Sequence, residues 1–136
     1  MIQLDYLDHI AIRVKDIHRS ADWYEKVLGL ERYEKEEWGG MPIMMFAGKS
    51  GIALFPTKTV EPKKIPEGDF YQTSHFAFNV QRSKFEEAKQ HLNDNGVTFY
   101  EEDHHFFHSI YFEDLDGYRL EITTLVGDVE SFFSKK

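Results

Sequence analysis

Apolar side chains fall on alternate positions of residues 7–14, through Ile10, Ile12 and Val14, which is the period of a half-buried strand. The period then lengthens. Ile17, Ala21, Tyr24 and Leu28 share one face of a helix predicted over Asp16–Leu28, and Gly29 follows as its stop. Strands are expected over Leu30–Lys35, Pro42–Ala47 and Ile52–Phe55, with turns at Trp38-Gly39-Gly40 and Gly48–Gly51. The order is βαβββ. Pro56–Asp69 holds three of the four prolines and shows no apolar period, so it reads as a linker.

The order then repeats. A strand is expected over Ser74–Val80, and a helix over Ser83–Asn93 with Phe85, Ala88, Lys89 and Leu92 along one side. Ser83 and Glu86 have the spacing of a capping box, and Asn95-Gly96 is the stop. Strands follow over Val97–Glu101, Ser109–Phe112 and Tyr118–Thr124, the last entered through the turn Asp114-Leu115-Asp116-Gly117. In the tail, Val129, Phe132 and Phe133 are spaced for a short docking helix. The expected organisation is one α+β domain: module one over 4–56, a linker over 57–72, module two over 73–126 and a C-terminal tail over 127–136.

Two runs repeat in detail. His9 and His75 each begin the pattern His-x-Ala-x-x-Val, 66 residues apart, and Glu121 sits within Tyr118–Thr123. Each is expected at the centre of a strand whose flanking apolar residues alternate with it, so His or Glu faces away from the apolar layer. Two imidazoles and a carboxylate on one side of a sheet make the protein half of a divalent-metal site with open positions.

Composition narrows the partners. The length suits one domain, and 41% apolar with 15% aromatic residues supports a core. A net charge of -8 leaves no basic stripe for nucleic acid or an anionic membrane. The apolar runs are too short to span a bilayer, and the start Met1-Ile2-Gln3-Leu4-Asp5 has no signal-peptide pattern, so a soluble cytoplasmic protein is expected. With no cysteine, disulfides, thiolate metal sites and cysteine nucleophiles are excluded.

Paired βαβββ units with His in the first strand of each and Glu in the last resemble the vicinal oxygen chelate superfamily, the glyoxalase, bleomycin-resistance, extradiol-dioxygenase and fosfomycin-resistance group. The likeness is most specific over Ser109–Glu121, where Leu115 replaces the usual Pro of an Asp-Pro-Asp-Gly turn. The resemblance implies mixed sheets curling into a cup, with His9, His75 and Glu121 as ligands of Mn, Fe, Zn or Ni. It implies a small oxygenated substrate that chelates the metal, in an isomerase, lyase, transferase or extradiol-type dioxygenase reaction. A metal-free, bleomycin-resistance-like binding cup is the alternative. It also implies a homodimer with shared sites, in which His9 of one copy joins His75 and Glu121 of the other.

The fourth family ligand position aligns with Ala53, which cannot bind metal and so weakens a glyoxalase I reading. Ser109 and Tyr111 match pocket positions of fosfomycin-resistance proteins and are the candidate catalytic residues. Asn79 and Thr123 share their expected face. Two features depart from that group: Ala11 stands where it carries Thr or Cys, and the tail lacks its phosphonate-binding Arg. Trp38, Met41, Met44, Met45 and Phe46 suit an apolar wall or core, and Glu34, Glu36 and Glu37 a solvated run. The tract His104-His105-Phe106-Phe107-His108 is expected in a loop or strand edge, with His108 pointing outward and His104 or His105 available as a loop acid or base. His18 and His91 read as surface residues.

Overall fold

The computed structural model describes residues 1–134, which divide into two compact units on either side of the Gly68–Asp69 bond. The division falls inside the proline-bearing stretch. Each unit is a βαβββ module around a mixed four-stranded sheet.

In the first unit the strands are β1 (His9–Val14), β2 (Glu31–Tyr33), β3 (Ile43–Ala47) and β4 (Ser50–Pro56), in the order β1-β4-β3-β2. β1 runs parallel to β4, and the other pairs are antiparallel. Helix α1 (Ile17–Leu28) starts where Asp16 accepts a hydrogen bond from the Arg19 amide, 3.0 Å away. It stops at Gly29, whose φ of 64° lets the Gly29 amide donate to the Glu25 carbonyl. The helix lays Ala21, Tyr24 and Val27 into a core with Ile12, Val14, Ile43, Met45, Ile52 and Leu54. Met44 and Phe46 turn to the opposite face of the sheet, and Trp38 and Met41 stay exposed. Glu34, Glu36 and Glu37 are exposed too, Glu34 pairing with Arg32.

The second unit repeats the plan with β5 (Phe76–Asn79), α2 (Phe85–Asp94), β6 (Tyr100–Asp103), β7 (Phe107–Glu113) and β8 (Arg119–Leu125), in the order β5-β8-β7-β6. Its core holds Phe85, Leu92, Ile110, Phe112, Leu120 and Ile122. The turn before β8 is tied by Asp114, whose Oδ1 accepts from the amides of Asp116 and Tyr118 at 2.9 Å each. The tail forms α3 (Val129–Phe133), whose Phe132 ring packs at 5.7 and 5.2 Å from Phe106 and Phe107. Residues 135–136 of the predicted tail lie outside the described residues.

Three expectations change. His9 opens β1 and His75 precedes β5, so of the three candidate ligands only Glu121 is mid-strand. The Ser83/Glu86 capping box is not formed. A 3-10 turn over Arg82–Lys84 leads into α2, which places Ser83 inside helical backbone and makes Lys84 the cap, without a side-chain bond. β6 starts at Tyr100 because Val97 is still engaged in the helix stop, its amide donating to the Leu92 carbonyl. The histidine tract lies at a strand edge, as expected: Asp103 and His108 pair across β6 and β7, and 104–106 form the turn between them. His18 and His91 are exposed, as expected of surface positions.

One buried hydroxyl, Thr124 Oγ1, has no hydrogen-bond partner among the described residues, although Thr124 is only 2% exposed. Thr124→Val keeps the shape and removes the orphaned group. It should raise stability by about 1 kcal/mol, read as a higher midpoint in chemical denaturation.

Candidate metal centre

One face of the second sheet gathers the polar residues. Across it Ala77 lies beside Glu121 and Asn79 beside Thr123, while Tyr111 stands opposite Glu121 and Ser109 opposite Thr123. Tyr100 and Glu102 continue the same rows on β6. Strand alternation turns all of these to one side and His108, Ile110, Leu120 and Ile122 to the other. Ser109, Tyr111, Asn79 and Thr123 therefore share a face with Glu121, and His108 points away toward Asp103, 3.6 Å off.

Glu121 is the hub. It is 8% exposed, and a buried carboxylate persists only when its oxygens are well satisfied. His75 Nε2 lies 3.1 Å from its Oε1, and the Ser109 hydroxyl donates to its Oε2 at 2.8 Å. The Tyr111 phenol is a third partner. Ser109 Oγ is in turn 2.8 Å from Thr123 Oγ1.

Tyr111 extends the network outward. His104 Nε2 is 2.9 Å from the phenol oxygen and 3.3 Å from Glu102 Oε2. An ionised Glu121 can only accept, so Tyr111 donates to it, and the proton on His104 Nε2 is shared between the phenol oxygen and Glu102. Burial pushes the Tyr111 phenol up to about 12, with the hydrogen bond to Glu121 and the charges of Glu121 and Glu102 adding to it and Arg119 opposing. Tyr111 is thus a neutral donor at any physiological pH, suited to stabilising an oxyanion rather than acting as a base. In an alkaline absorbance titration, one tyrosine should ionise near 12 in the parent protein, and that phase should vanish in Tyr111→Phe. Because the folded state holds this proton more tightly, its contribution to stability is complete below about pH 10 and is lost as pH rises toward 12.

Arg119, two residues before Glu121 on the same strand face, lies over the ring of Tyr111 at 4.6 Å and that of Tyr100 at 5.5 Å, and donates to the Tyr100 hydroxyl. The two tyrosine rings stack at 5.2 Å.

His9 belongs to the first unit, on the β1 face shared with Ala11 and Arg13. Its Nδ1 is 2.7 Å from Asp8 Oδ1, and the Asp8 carbonyl is held by the Gly51 amide at 3.1 Å. His75 Nδ1 is likewise engaged, 3.2 Å from Ser74 Oγ. Ala53, at the fourth family position, is 1% exposed beside Ala11 and Met44.

Two members of the donor set, His75 and Glu121, have the spacing that the divalent metal implied by the resemblance requires. Two donors each about 2.1 Å from one ion stand roughly 3.0–3.4 Å apart, and the 3.1 Å between His75 Nε2 and Glu121 Oε1 meets that. Both histidines have a partner at Nδ1 that fixes the ring and leaves Nε2 for the ion, and Glu121 is steadied by Ser109, as metal ligands generally are. The structure brings together His75, Glu121, Ser109 and Tyr111. Among the described residues no three His, Asp or Glu side chains form a group close enough to hold an ion.

Four residues of this constellation escaped the sequence reading: Asp8, Tyr100, Glu102 and Arg119. Arg119 was within reach of the alternation that selected Glu121. The His104 contact was not, because it depends on the tight turn in which His105 adopts φ 65° while its amide is held by Asp103.

A model of the Glyoxalase/Bleomycin resistance protein/Dioxygenase superfamily matches residues 6–122. A protein named Metallothiol transferase FosB from Staphylococcus saprophyticus is 33% identical over 87% of this chain and 76% of its own length. Glutathione transferase FosA from Serratia marcescens is 28% identical over 88% and 80%. Among solved structures, a glyoxalase/dioxygenase from Nostoc punctiforme superposes with a TM-score of 0.74 at 23% identity, covering 90% of this chain and 92% of that one. The similarity thus extends over residues of both units. Among the described residues, no helix is long and apolar enough to cross a membrane.

Proposed function

The chain belongs to the Glyoxalase/Bleomycin resistance protein/Dioxygenase superfamily, and from that premise we propose that it is a divalent-metal-dependent transferase acting on a small oxygenated molecule. The observation that carries this reading is the His75–Glu121 pair at ligand spacing, backed by Ser109 and Tyr111. His75 and Glu121 supply two ligands, and His9, from this chain or a second copy, supplies the third. When bound, the ion polarises the substrate's oxygens and stabilises negative charge on them. Ser109 holds Glu121 in its ligating rotamer. Tyr111, kept protonated, gives its one hydroxyl hydrogen to Glu121 in this structure and would turn it to the developing oxyanion once Glu121 holds the ion. The transferase class rests on the two relatives named as transferases, and Ala53, at the fourth family position, supplies no ligand.

A second reading, a metal-free binding protein, is favoured by one fact: His75, Ser109 and Tyr111 already satisfy both oxygens of Glu121. Elemental analysis of freshly purified protein separates the two, followed by Co(II) substitution. The transferase reading expects about one transition metal per site and a cobalt spectrum that shifts when acetohydroxamate, a small chelator, is added. No uptake of metal, even after reconstitution, would leave the binding-protein reading.

A further inference from the structure

We propose that Arg119 is the specificity-determining residue of the same site and that the substrate carries an oxyanion, a carboxylate or phosphonate, beside its chelating oxygens. The inference rests on the proposed metal reading but is tested separately from it. Arg119 has a carboxylate directly across the ladder, since Glu113 is its register partner on β7. Cross-strand opposite charges ordinarily pair. Here they do not: among the described residues Arg119 makes no ion pair, and its guanidinium instead lies across Tyr111 toward Tyr100.

That placement has three consequences. The stacked tyrosines hold the planar group on the face that carries Glu121 and restrict its freedom before any ligand arrives. The guanidinium keeps its full positive charge unmatched by a carboxylate, with donors left over, since one contact to Tyr100 uses few of five N–H groups. Arg119 and Glu121 are successive members of one strand face, about 7 Å apart along the strand. A molecule chelated at His75 and Glu121 and extending along β8 would therefore approach Arg119. Arginine binds planar or tetrahedral oxyanions in bidentate fashion, with charge-assisted bonds stronger than neutral ones. In a chain of net charge -8, Arg119 admits an anion where Glu102, Glu113 and Glu121 would otherwise repel it.

The test compares three probes with one chelating end: acetohydroxamate, which is otherwise neutral, phosphonoacetohydroxamate and malonomonohydroxamate. Affinities are measured by the absorbance of the Co(II)-loaded parent, Arg119→Gln and Arg119→Lys proteins. The parent should bind at least one anionic probe about tenfold or more tighter than acetohydroxamate, and the better of the two identifies phosphonate or carboxylate. In Arg119→Gln that preference, taken as the ratio of the two affinities within one protein, should collapse toward unity, and Arg119→Lys should restore part of it. A preference that survives in Arg119→Gln, or none in the parent, overturns the proposal. Should the parent take up no metal, the proposed function fails alone. Arg119 is then decided by titrating methylphosphonate and acetate into metal-free protein while following its Nε–H resonance. A saturable shift with either supports the anion site, and no shift with either overturns it.

Discussion

Gly51→Ala should cost more than about 3 kcal/mol of stability, a fall in Tm of roughly 10 °C. A Cβ at this position would lie 2.6 Å from Phe46 Cδ1 and 2.8 Å from Phe46 Cα, and would also overlap the Met45 carbonyl oxygen. Two of those atoms are backbone and cannot swing aside. Nor can the strands slide to relieve the contact, because Ala47 pairs with Ser50 across a two-residue turn that fixes the register of β3 and β4. The damage should reach His9, which faces Gly51 in the ladder and whose neighbour Asp8 is held by the Gly51 amide. Thermal unfolding of the purified variant measures the effect. A Tm within about 2 °C of the parent would mean that the β3–β4 hairpin opens at little cost.

The periodic signals carried the fold and half of the site. Alternation through Ile10, Ile12 and Val14, and the helical spacing of Ala21 and Tyr24, reflect burial on one side of an element, and burial is what a hydrophobic pattern records. The stops at Gly29 and Asn95-Gly96 were legible because a backbone at positive φ favours glycine. The same logic put Ser109, Tyr111 and Glu121 on one face. It failed where competition between local contacts decides. Ser83 and Glu86 have capping-box spacing, yet the 3-10 turn absorbs Ser83, and no pattern distinguishes the two outcomes. Adjacent histidines look solvated in sequence, but a three-residue turn sets His104 against Tyr111, seven residues away. Arg119 went unread for another reason. Its place against stacked tyrosines rather than against the carboxylate across the ladder is a tertiary fact.

Glu121→Gln should bind its metal on the order of a hundredfold more weakly than the parent while keeping the fold, and His75→Ala should lose it as well. The choice of glutamine over alanine matters. Alanine would leave the buried Ser109 and Tyr111 donors without an acceptor, at roughly 1–3 kcal/mol each, so a loss of binding could be blamed on damage. The amide oxygen can still accept from one of them, but it carries no charge for an ion. A readout independent of metal confirms that the substitution acted on the network. Glu121's hydrogen bond and charge help to raise Tyr111, so removing the charge should bring the phenol below about 12, while burial, the largest cause, keeps it above its ordinary value. A protein that shows this fall and binds no metal has lost a ligand, not its fold. If Glu121→Gln and His75→Ala both held metal as tightly as the parent, the ion would have to sit elsewhere. The pairs Glu102–His104 and Asp103–His108, on opposite faces of β6 and β7, would then be the places to look.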